Sequence, residues 1–150
     1  MENMSFEKAL LQNQKGFSLI EILIALTLLA LAGTFVGGQV FDNLQEGKVQ
    51  TCKIQIKSIS DRLKEFRRDC GYYPTTDQGM DALIEKPTGG RECKRYAPSG
   101  YIEGGKVPLD PWDGEYIYES DGKTFSIISL GNDGVEGGEG FDADINSKDI

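Results

Sequence analysis

An α+β fold, with a long N-terminal helix packed on a small antiparallel β-sheet, is predicted by three features of the 150-residue chain. No proline occurs from residue 17 to 73, and this stretch is first apolar and then amphipathic. Two alternating segments, Glu115 to Glu119 and Thr124 to Leu130, flank Ser120-Asp121-Gly122-Lys123, which is a β-hairpin signature. A half-buried sheet needs a cover, and the amphipathic stretch is the one long surface able to supply it.

From Phe17 to Phe41 the chain reads FSLIEILIALTLLALAGTFVGGQVF, with Glu21 as its one charge. That length exceeds the roughly 20 residues needed to cross a bilayer. An acid inside a bilayer costs about 3 kcal/mol even on lenient scales, so it calls for a partner. Cleavage after Gly16 would create one, because the new α-amine of Phe17 would stand one helical turn from Glu21 on the same face. Two other readings of these residues are a secretory signal ending at Ala30-Leu31-Ala32 and an uncleaved anchor with Glu21 snorkelling to the surface.

Beyond the apolar run, Val49, Cys52, Ile56, Ile59, Leu63, Phe66 and Cys70 recur at spacings of three and four, forming one apolar stripe. Span and stripe together would make a helix of about 80 Å, at 1.5 Å per residue. Gly33, Gly37, Gly38 and Gly47 are its weak points, suited either to close helix packing or to local melting. Gly71 stops the helix, and Thr75 and Gln78 have capping-box spacing ahead of a short second helix through Met80, Leu83 and Ile84 to Pro87. Residues 88 to 108 read as an irregular loop.

The heptapeptide Lys15-Gly16-Phe17-Ser18-Leu19-Ile20-Glu21 resembles the class III signal of type IV pilins and pseudopilins. That resemblance implies cleavage after Gly16 by a prepilin peptidase, N-methylation of Phe17 and a role for Glu21 in assembly. Tyr73-Pro74-Thr75-Thr76-Asp77-Gln78-Gly79, then Asp110-Pro111-Trp112-Asp113, then Ser129-Leu130-Gly131-Asn132-Asp133-Gly134 resemble the major pseudopilins of type II secretion. The implied organisation is a leader at 1–16, a transmembrane and assembly helix at 17–41 and a periplasmic, pilin-like domain at 42–150. Implied partners are further copies in a filament, minor pseudopilins, the prepilin peptidase, an inner-membrane assembly platform and a secretin. A type IV pilus subunit and a membrane-anchored, calcium-dependent binding module are the alternatives. On their own, Pro74, Pro111 and Trp112 need no function beyond turn geometry and covering the sheet.

Residues 131 to 150 hold Asp133, Glu136, Glu139, Asp142, Asp144 and Asp149 against Lys148 alone. Composition leaves two readings open, a solvated acidic tail and a loop whose carboxylates collect a hard cation. The resemblance implies Ca²⁺, with the Leu130 carbonyl and Asp133 as first ligands and Asp142 and Asp144 as the later pair. The acids that are usually adjacent are split here by Ala143 and the loop is longer, so Glu136 or Glu139 could replace one of them.

Cys52 and Cys70 lie about 27 Å apart along one helix and cannot bond to each other. Cys70 with Cys93 is the better pair in a compartment outside the membrane, and three reduced thiols are the other reading. A formal net charge of -8, all of it beyond residue 16, argues against nucleic acid as a partner. With no histidine and no nucleophile in a recognisable elbow, catalysis is not expected. Gly137 to Asp142 and Gly100 to Lys106 approach a calcium nonapeptide and a phosphate loop. The first lacks stacked repeats, and the second has Val107 and Pro108 where a Ser/Thr and a helix are required.

Overall fold

A computed structural model describes residues 16–150, with the backbone alone for 34–39. Contacts divide the chain into two compact units, Met1–Asp42 and Asn43–Ile150. Helix α1 spans Leu19–Cys70 and continues through Gly33 and Gly47. It begins two residues later than the apolar run, and the expected leader lies outside the described residues apart from Gly16.

In the first unit, Leu19, Ile20, Ile22, Leu23, Ile24, Leu26, Leu28, Leu29 and Leu31 are all exposed, so apolar side chains ring this part of α1. Among the described residues no helix is long and apolar enough to cross a membrane. The span expected over 17–41 includes positions 34–39, whose side chains lie outside the described residues. Thr27 does not interrupt the apolar surface, because its hydroxyl donates back to the carbonyls of Leu23 (3.0 Å) and Ile24 (2.8 Å).

The second unit holds the core. Cys52, Ile56, Ile59, Leu63 and Phe66 are buried along one face of α1, at the spacing of the predicted stripe. They share a cluster with Tyr116, Tyr118, Ile127 and Ile145 from the sheet region. Gly71 ends the helix, its N–H donating to the Arg67 carbonyl at 2.7 Å. The Thr75 N–H donates to Gln78 Oε1 at 3.0 Å, the reciprocal half of the expected capping box. That bond closes the turn at 76–79 and caps no helix; the element that follows is a 3₁₀ turn, Met80–Leu83, with Gly79 at its N-cap and no side-chain cap bond, shorter than the helix predicted there.

Strands β1 (Ile117–Ser120) and β2 (Phe125–Ser129) form the antiparallel hairpin, with Ile117 opposite Ile128 and Ser120 opposite Phe125. Asp121 accepts from the N–H groups of Lys123 and Thr124, both at 2.8 Å, and so closes the turn. A third strand, β3 (Ile145–Asn146), pairs antiparallel to β2 and was not anticipated, since it lies inside the acidic C-terminal segment. The sheet order is β1-β2-β3.

Cys70 and Cys93 are disulfide-linked, with Cα atoms 4.7 Å apart, and Cys52 is a buried free thiol. The bridge fastens the irregular 88–108 segment to the end of α1. There Phe66 meets the edges or faces of Tyr72, Tyr96 and Tyr101 at centroid distances of 5.6, 6.2 and 5.4 Å.

Because Leu63 is fully buried and Ile54 is 69% exposed on the same helix, truncation at the two should differ sharply. Leu63→Ala is expected to cost about 2–5 kcal/mol in denaturant unfolding of the purified chain. Ile54→Ala should stay within about 0.5 kcal/mol.

Candidate functional site

The acidic segment is folded, not a free tail. Asn132 N–H donates to the Phe141 carbonyl (3.1 Å), and Asp144 N–H donates to the Gly137 carbonyl (3.2 Å). These bonds fold residues 131–144 back on themselves just after β2. Gly131 and Gly138 permit the close approach. Both have left-handed backbones (φ 68° and 81°), and a Cβ at either would strike the Ala143 or Asp142 carbonyl.

Within the loop, Asp142 Oδ1 accepts from Asn132 Nδ2 at 2.9 Å. Asp144 Oδ2 accepts from Gly137 N–H at 3.0 Å, whereas Asp144 Oδ1 is buried without a hydrogen-bond partner. An unsatisfied buried acceptor costs about 1–3 kcal/mol, and more when charged. Asp133 is exposed and, among the described residues, accepts only from Val135 N–H, at 3.0 Å, in a local turn. Leu130 is half-buried directly after β2. Among the described residues no three acids or cysteines converge closely enough to hold a metal between side chains alone. Ca²⁺ takes six to eight oxygens, including carbonyls and water, so the orphaned Asp144 oxygen beside folded backbone fits such an ion without a third carboxylate.

Two side chains secure this loop: Asp110, which the sequence offered only as part of a turn motif, and Gln45, which sequence reasoning passed over. Asp110 is 5% exposed, and its carboxylate accepts from Ser129 Oγ (2.6 Å), Gly114 N–H (2.7 Å) and Trp112 N–H (3.0 Å). Gln45, 7% exposed on α1, accepts from Trp112 Nε1 at 3.0 Å and donates to Asn132 Oδ1 at 3.4 Å. A signal for Gln45 existed: it stands four residues before Val49, in register with the apolar stripe. Nearby, burial pushes the Cys52 thiol up, with Asp110 adding to the effect, so Cys52 is a poor nucleophile.

At the other end of the chain, the Gly16–Phe17 bond precedes the helix in non-helical backbone. Nothing lies within 4 Å of a Cβ built on Gly16, and Phe17 is 79% exposed. Glu21 Oε2 accepts from Ser18 N–H at 3.4 Å, in the first turn of α1. Loop and N-terminus lie in separate units, so the predicted site residues form two groups.

A long helix covering a small antiparallel sheet, with an apolar N-terminal half and a C-terminal acidic loop, defines a pilin-like protein. The family model described as type II secretion system (T2SS), protein G matches residues 39–148, and that of the prokaryotic N-terminal methylation motif matches residues 11–37. The chain is 39% identical over 140 residues to type II secretion system core protein G of Pseudomonas aeruginosa, covering 92% of this chain and 97% of that one. Its identity to the protein of the same name in Vibrio cholerae is 37% over 142 residues, covering 93% and 95%. The crystal structure of the major pseudopilin from the type 2 secretion system of enterohaemorrhagic Escherichia coli superposes with a TM-score of 0.61 at 33% identity. That match covers 72% of this chain and 92% of the other. The chain therefore belongs to the type II secretion system protein G family.

Burial raises the Cys52 thiol above its ordinary 9.0, the Tyr116 phenol far above 10.0 and the Tyr118 phenol to about 12. These groups hold their protons longer in the fold than in the unfolded chain. Their contribution to stability is therefore full below about pH 9 and should be lost as pH rises through the raised values. Denaturant midpoints measured across that range should drop, and Tyr118→Phe should lose part of the dependence.

Proposed function

We propose that this chain is a structural subunit of the type II secretion pseudopilus, polymerising in the periplasm to drive folded proteins across the outer membrane. The observation that carries the reading is the ring of exposed apolar side chains on α1 from Leu19 to Leu31, interrupted only by Glu21, within a chain that matches this family along nearly its whole length. A helix that is apolar all round is stable when buried in protein or lipid. Before assembly the lipid is the bacterial inner membrane, crossed once by residues 17–41. After assembly the cover is the helices of other copies. The role is structural, not catalytic.

Maturation supplies the charge that this arrangement needs. The accessible backbone at Gly16–Phe17 suits cleavage by a prepilin peptidase. Phe17, once N-terminal and methylated, would carry a cation one turn from Glu21 or from the Glu21 of a neighbour. Minor pseudopilins, the assembly platform and the secretin are the remaining partners. Glu21→Ala is expected to be cleaved and membrane-inserted but to yield few filaments, as judged by shearing and immunoblotting. Normal filament yield would remove the charge-pairing role.

Calcium belongs to the same reading. Asp142 and Asp144 with loop carbonyls would hold it; Asp133 and the Leu130 carbonyl, the other expected ligands, would complete the set only on closure of the loop around the ion, since no three acids converge among the described residues, and Glu136 or Glu139 are the alternates. Bound there, Ca²⁺ supplies positive charge that ties loop segments together. Chelation should lower the melting temperature of the full chain in detergent, and Asp144→Ala should abolish the calcium dependence. A wild-type melting temperature indifferent to calcium would remove the site.

A further inference from the structure

We propose that Gln45 and Asn132 form a relay that positions Asp142 for the cation and couples the acidic loop to α1 and Trp112; this rests on the calcium reading. Trp112 is the single tryptophan of the chain, and an indole N–H can only donate. It donates to Gln45 Oε1 at 3.0 Å, which fixes that amide with its Nε2 toward Asn132. Asn132 must then present Oδ1 to Gln45 at 3.4 Å and Nδ2 to Asp142 Oδ1 at 2.9 Å. One donor of fixed sense thus orients two amides in series and ends on a carboxylate. Reversing either amide would bring donor against donor or acceptor against acceptor.

The relay draws together residues 45, 112, 132 and 142, from three separate stretches of sequence: helix α1, the 110–114 turn and the acidic loop. Asp142 keeps an amide donor on Oδ1, and that donor is itself held by a buried side chain on the helix. Groups that orient a metal-binding side chain in this way typically contribute 10–100-fold in metal affinity. Coupling is reciprocal in free energy, so a cation that fixes Asp142 must also favour the Gln45–Trp112 bond. The indole therefore reports on occupancy of a loop it does not line.

The test uses the full chain in detergent, titrated with Ca²⁺ against a competing chromophoric chelator, with selectively excited tryptophan emission followed in parallel. Wild type should bind Ca²⁺ and change its Trp112 emission. Asn132→Ala, at an exposed position, should weaken Ca²⁺ binding about tenfold or more and abolish the emission change. Gln45→Met, which leaves every acid in place, should do the same. If Gln45→Met fails to fold, Asn132→Ala decides. Unchanged affinity with a retained emission response in a folded variant overturns the relay while leaving the calcium reading intact. No Ca²⁺ binding by wild type overturns both.

Discussion

A single buried carboxylate, that of Asp110, organises the region on which the loop and the helix both depend. Burying a charge is costly unless donors replace water, and here Ser129, Trp112 and Gly114 supply them at 2.6 to 3.0 Å. Each donor fixes something different. The backbone donors of Trp112 and Gly114 wind the 110–114 turn, in which Asp113 adopts a left-handed backbone with φ 67°. That turn aims the indole at Gln45. The Ser129 hydroxyl anchors the end of β2, and it also accepts from Gly131 N–H at 3.3 Å, where the acidic loop begins. Removing Asp110 would therefore disturb the turn, the strand end and the loop entry together.

The end of α1 is held by different means. Residues 88 to 108 form no strand and offer no ladder of backbone bonds. Side chains hold them instead. Tyr72, Tyr96 and Tyr101 surround Phe66, Arg91 lies over the Tyr72 ring at 5.0 Å, and Tyr101 donates to Asp69 at 3.2 Å. The Cys70–Cys93 bridge closes a loop of 23 residues, and by the chain-entropy model such a bridge contributes about 3 kcal/mol by restricting the unfolded chain. A segment so poor in secondary structure needs that constraint more than the hairpin does.

How much of this was legible in the sequence depended on whether a feature had a period. The stripe from Cys52 to Phe66 and the alternation of the hairpin are repeating patterns, and the elements sit where those patterns place them. Ile145–Asn146 is too short to alternate and is embedded among acids, so β3 became visible only through its partner β2. The 3₁₀ turn at Met80–Leu83 fell short of a helix because Gly79, with φ 61°, and Pro87 leave too little room for one. Acidic residues marked the candidate loop by composition alone. The amides that order it have no spacing rule, because Gln45 and Asn132 are 87 residues apart.

The polar contacts also do what the apolar stripe cannot. Cys52, Ile56, Ile59, Leu63 and Phe66 repeat every three or four residues, so sliding the helix by one turn would still bury apolar side chains against the sheet. The energy difference between such registers comes only from imperfect packing. Gln45, by contrast, reaches the Trp112 indole in one register alone. Displaced by a turn, it would forfeit its bond to the half-buried indole N–H, and an amide left buried without a partner costs about 1–3 kcal/mol. An apolar residue at position 45 would extend the stripe but lose this discrimination. The amide at that position is therefore best understood as the feature that selects one alignment of helix and sheet.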